Sequence, residues 1–123
     1  TSSGTRGPVT AEATQPIYFD IELPADGEFV EPVRSDRAAF IVAHEGRIAV
    51  GDKTLEAVGL AELGAGDTVR LRAADGPARA LLIAGKPINE PVVWHGPFVM
   101  NTPGEIRQAF EDYQSGRMGS INF

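Results

Sequence analysis

The feature that most constrains this chain is a two-residue alternation of apolar and polar side chains, restarted after short turns rich in Gly, Pro and Asp. In Ile17–Leu23, apolar Ile17, Phe19, Ile21 and Leu23 alternate with Tyr18, Asp20 and Glu22. Successive side chains of a strand point to opposite faces, so one set belongs to a core and the other to water. Pro24–Gly27 then turns the chain. Phe29–Val33 is a second strand, and Pro32, which cannot donate to a ladder, places it at a sheet edge. Ala39–His44 and Arg47–Val50 follow, separated by Glu45-Gly46. Leu55–Leu63 is ambiguous between a strand interrupted at Gly59 and irregular structure. After the turn Gly64–Asp67, Thr68–Arg72 puts Val69 and Leu71 inward and Arg70 and Arg72 outward. Ala78–Ala84 is a mostly apolar run of buried-strand type, broken by Arg79. Short strands at roughly 8–12-residue spacing predict an antiparallel sandwich or barrel.

The ends differ. Residues 1–14 are poor in apolar side chains and read as a linker or loosely held arm. The barrel core is expected over residues 15–85. Residues 86–101 hold Pro87, Pro91 and Pro97 and read as an extended covering loop, too apolar to hang free. Residues 102–123 are a helix and tail, with Thr102 as N-cap, Pro103 at the first position and Glu105 completing a capping box. Ile106, Phe110 and Tyr113 form the apolar stripe, and Gly116 is the stop.

Composition excludes several chemistries. The chain of 123 residues has no cysteine, which removes disulfides, thiolate metal sites and a cysteine nucleophile. Its formal charge of −6 disfavours a phosphate backbone as partner, so no direct nucleic-acid binding is expected. No apolar run is long enough for a membrane span, and the absence of a basic-apolar leader points to a cytoplasmic protein. The chain begins at Thr1, as a fragment or processed product would. No nucleophile elbow and no phosphate loop occurs.

Two stretches carry a resemblance. Phe40–Gly51, with its Glu45-Gly46 and Val50-Gly51 turns, followed by Leu63–Asp67, resembles the strand-turn pattern of cupin barrels. Gly85–Thr102 (GKPINEPVVWHGPFVMNT), continuing into Glu105-Ile106 and Ala109–Gly116, is similar to the end of the pirin family. With Arg6–Thr10 as linker, the resemblance runs from about Gly4 to Gly119. It implies an all-β, jelly-roll-like cupin barrel with one C-terminal helix. Pirin-like proteins are bicupins whose N-terminal domain holds iron through three histidines and a glutamate. They are described as quercetin 2,3-dioxygenase-type enzymes or as iron-containing transcriptional co-regulators. The resemblance makes this chain the C-terminal domain plus linker. Fe(II) then belongs to the missing N-terminal cupin, which is the expected partner, with a transcription regulator as a second one.

A metal site within this chain is not expected. The segment before Phe40 has no histidine, and Asp36-Arg37 stands where an acidic ligand belongs, the arginine opposing a cation. His44 shares the period-2 face of Phe40 and Val42 and is expected to point inward, as a hydrogen-bonded rim residue or a residual ligand. His95 lies between Trp94 and Gly96 in the Pro-rich segment. Trp94, His95, Phe98, Met100 and His44 are the candidate interface or pocket residues, and no catalytic residue is assigned. Arg70, Arg72 and Arg79 could share one exposed face as an anion patch. Three readings follow: a non-catalytic half of an iron-dependent protein, an interaction module, or a stand-alone barrel binding a small ligand. The surface facing the missing domain should be apolar and promote self-association.

Overall fold

The alternating segments pair in a nested order. In the computed structural model, which describes residues 7, 8 and 11–119, ten strands and one helix form. The strands are β1 (Ile17–Leu23), β2 (Glu28–Pro32), β3 (Ala38–Glu45), β4 (Arg47–Val50), β5 (Lys53–Glu56), β6 (Gly59–Glu62), β7 (Thr68–Ala73), β8 (Ala78–Gly85), β9 (Val93–His95) and β10 (Phe98–Met100). The helix α1 spans Pro103–Gln114. One sheet runs β1-β8-β3-β6 and the other β2-β7-β4-β5. Antiparallel pairs β4–β5, β3–β6, β2–β7 and β1–β8 enclose one another. Every connection from β1 to β8 changes sheet except the β4–β5 turn. That is the jelly-roll arrangement, and the expected all-β fold is observed.

The chain divides into two units, residues 1–88 and 89–123. In the first, the inward faces of both sheets meet in one cluster. Ile41, Ile48, Leu71 and Leu82 are its largest fully buried side chains. Alanines 39, 43, 73, 78, 80 and 84 fill the gaps between them. Among the described residues no polar or charged residue is buried. β2 is an edge strand, as Pro32 requires.

Several expectations change. The ambiguous Leu55–Leu63 becomes two strands that join different sheets, β5 against β4 and β6 against β3. The reversal at Val58 (φ 62°) leaves that side chain 92% exposed. The arm before β1 is not loose over its described end. The Gln15 amide donates to the Ala11 carbonyl at 2.8 Å, and the Lys86 amide donates to the Thr14 carbonyl at 2.7 Å. The rest of the arm lies partly outside the described residues, as does the tail after Gly119.

In the second unit, the segment expected as an extended loop carries a hairpin, with His95 opposite Phe98 and Val93 opposite Met100. Gly96-Pro97 makes the turn, with Gly96 at φ 57°. Asn101 fastens the approach, its Nδ2 donating to the Pro91 carbonyl at 2.8 Å and to Glu90 at 3.0 Å. The capping box is present: the Glu105 amide donates to Thr102 Oγ1 at 3.2 Å, and the Thr102 amide donates to Glu105 Oε2 at 2.8 Å. The helix buries Ile106 and Ala109, whereas Tyr113 is 68% exposed. Among the described residues, no helix is long and apolar enough to cross a membrane.

Two substitutions test this geometry. Gly46 alone links β3 to β4 across the sheets, at φ +69°, and a Cβ there would stand 2.5 Å from the Pro77 carbonyl oxygen. Gly46→Ala is expected to cost about 2 kcal/mol or more in urea unfolding, because strain and clash add. Val58→Asn removes a β-branched side chain from a left-handed position and is expected to gain about 0.5–1 kcal/mol in the same measurement.

Candidate functional site

A mononuclear iron centre needs several N and O donors converging from different strands. The interior of this sandwich offers carbon. Among the described residues, no three His, Cys, Asp or Glu side chains are placed to hold a metal ion. The remaining residues contain none of those types. The residues present therefore do not fit an iron.

His44 is the first correction. It was expected to face inward with Phe40 and Val42, but the buried positions of β3 are Ala39, Ile41 and Ala43. Phe40, Val42 and His44 lie on the outer face of the sheet, half-buried. Both faces of this strand are apolar, so alternation alone could not tell which one meets the other sheet. The outer face of β8 likewise carries the half-buried Arg79, Leu81 and Ile83. His44 Nε2 lies 3.8 Å from Asp20 Oδ1, too far for a hydrogen bond, and has no hydrogen-bond partner among the described residues. Arg79 bridges Asp20 at 3.2 Å and Glu45 at 3.5 Å. Its charge already compensates the carboxylates nearest His44, so this cluster is a surface ion-pair network and not a cation site.

The proposed arginine patch does not assemble either. Arg70 and Arg72 share the outer face of β7, whereas Arg79 belongs to the outer face of the opposite sheet. Arg70 pairs with Glu28 at 2.5 Å.

The other four candidates lie in the hairpin. Cross-strand partners share a face, so Val93, His95, Phe98 and Met100 form one side. That side meets α1: the His95 and Phe98 rings stand edge-on to Phe110 at 5.6 and 5.0 Å. Phe98 also approaches Tyr113 at 6.3 Å. These contacts make Phe98 a helix-docking residue. Trp94 and Val99 occupy the other side, 76% and 60% exposed. The Trp94 indole N–H donates to the Gly96 carbonyl at 2.8 Å, which fixes the ring across its own turn.

Sequence reasoning missed a cavity of about 260 Å³ at one end of the sandwich. Val33, Ala39, Val50, Leu63 and Val69 line it with carbon, and Arg34, Arg37 and Arg70 stand around it. The signal was the arginine at position 37, which was read only as opposing a cation. Arg34 donates to both Asp36 oxygens at 3.0 and 2.8 Å, and this bond holds the Asp36 carboxyl below its ordinary pKa.

Comparison with known proteins bears on the same residues. The family described as Pirin C-terminal cupin domain matches residues 18–119. A pirin-like protein of Caulobacter vibrioides is 50% identical over 117 residues, covering 95% of this chain and 42% of the relative. Human pirin is 37% identical over 112 residues, 86% of this chain and 38% of pirin. The crystal structure of an Acinetobacter baumannii quercetin 2,3-dioxygenase superposes with a TM-score of 0.88 at 31% identity. That superposition covers 99% of this chain and 42% of the enzyme. This chain thus spans about two-fifths of the relatives it matches. A nested jelly roll followed by a capped helix, matched over most of its length by one family, makes this chain a member of the pirin family, corresponding to its C-terminal cupin domain.

Proposed function

We propose that this chain is the metal-free half of a two-domain pirin-type protein whose iron, and whose quercetin 2,3-dioxygenase-type chemistry, reside in an N-terminal cupin domain. The observation that carries this reading is the donor-free interior: Ile41, Ile48, Leu71 and Leu82 are fully buried where a metalloenzyme barrel would converge ligands. Support for the enzyme class comes from the quercetin 2,3-dioxygenase matched over 42% of its length, which leaves the larger part of that protein unmatched. In this reading no residue of the chain moves a proton or an electron. The sandwich contributes a rigid body on which a second domain can rest.

A second reading, an interaction module of a transcriptional co-regulator, draws on the outward side of the hairpin. Val92, Trp94 and Val99 are 75%, 76% and 60% exposed, an apolar surface of the kind that marks contacts.

Metal analysis and a quercetin assay test the first reading. The purified chain incubated with ferrous iron is expected to retain only substoichiometric metal and to leave quercetin unconsumed. The two-domain protein is expected to hold iron and consume it. Stoichiometric iron on this chain would overturn the partition, whereas an iron-loaded but inactive two-domain protein would overturn only the dioxygenase assignment. A pull-down tests the second reading: the isolated chain should retain a partner protein that the two-domain protein retains, and Trp94→Ser should reduce that retention, whereas loss of the partner from the isolated chain would overturn it.

A further inference from the structure

We infer that the end cavity of the sandwich binds a small organic carboxylate, with Arg37 receiving the carboxylate and the aliphatic floor holding the apolar body. The floor residues Val33, Ala39 and Val69 are only 4–6% exposed and belong to the core itself, so the cavity is set in the rigid part of the fold. Water gains little there, because an ordered water needs polar partners that these side chains lack.

The rim decides the charge of the occupant. Arg34 is engaged by Asp36 through two bonds, and Arg70 by Glu28. Arg37 differs. Its Nη1 donates to the Gln15 carbonyl and its Nη2 to Gln15 Oε1 at 3.2 Å, both neutral acceptors. A guanidinium has five N–H donors in a planar fork. Those not used on Gln15 remain for a ligand, and Gln15 holds the group in place. Among the described residues, no carboxylate forms an ion pair with Arg37. Asp36 adds a weaker field and is committed to Arg34. Glu31, on the inward face of β2 opposite Val69, does not line the cavity and has an interaction of its own. Arg37 is the one lining arginine with no ion pair among the described residues. Its charge suits a monoanion with a planar acceptor pair, the partner that guanidinium recognises best.

Size narrows the class. About 260 Å³ lies below the range of roughly 300–1,000 Å³ typical of drug-sized ligands. A single-ring or short-chain acid fits that volume. The Gly64-Ala65-Gly66 loop borders the cavity with little side-chain bulk and leaves it open to entry.

Benzoate is the probe. Titrated into the isotope-labelled chain, it is expected to shift the backbone amide signals of Val33, Leu63 and Val69 saturably, with Kd on the order of 1 mM for so few atoms. Benzyl alcohol, the same ring without the charge, should bind about tenfold more weakly, and Arg37→Gln should weaken benzoate by a similar factor. Ala65→Trp keeps Arg37 and its hold on Gln15 but blocks the mouth from an exposed loop. It should abolish the shifts while the rest of the spectrum is preserved, and it decides the matter if Arg37→Gln does not fold. Absence of saturable shifts, equal affinity for benzyl alcohol, or unchanged affinity in folded Arg37→Gln would overturn the proposal. So would inorganic phosphate binding as tightly as benzoate, which would reveal a plain anion site.

Discussion

Two antiparallel sheets facing each other must fill the space between them, and what fills it decides what the domain can do. Here the filling is branched aliphatic side chains separated by alanine. Burial of that surface drives the fold at roughly 25 cal/mol per Å² removed from water. A donor side chain in the same position would lose its hydration and need a metal or a hydrogen-bond partner to offset the loss. Hydrophobic filling and metal chemistry therefore compete for the same few inward positions. In this chain, Ile41 and Leu82 of one sheet and Ile48 and Leu71 of the other take them.

Much of the architecture was legible in the residues. Alternation over Ile17–Leu23 and Thr68–Arg72, and the capping box of Thr102 and Glu105, rest on local physics, and each appears as read. Less legible was everything that depends on which strand lies beside which. Leu55–Leu63 looked ambiguous because it is two strands in two sheets, joined at a left-handed valine that no propensity favours. His44 was assigned to the wrong face because β3 is central in its sheet and apolar on both sides. The hairpin within residues 86–101 was hidden by its prolines, which precede the first strand or sit in the turn without occupying a strand position.

The candidate residues separate by role once the hairpin's two sides are known. His95, Phe98 and Met100 serve their own unit by packing toward α1, and Trp94 is left outward. The cavity escaped notice for a different reason. It is built from core residues at the open end of the sandwich, which in sequence are indistinguishable from any others of the core. Its rim comes from three connections and from β7, segments whose meeting is a property of topology.

The nested pairing also sets the order in which the molecule can form. Only β4 and β5 are neighbours in sequence, so a hairpin there is the cheapest contact, and each later pair must close a longer stretch of chain. The outermost pair, Ile17–Leu23 against Ala78–Ala84, has the longest closure of the four. Such distant contacts make folding slow. On the ribosome, β1 must wait with its apolar face unmatched until β8 has been made.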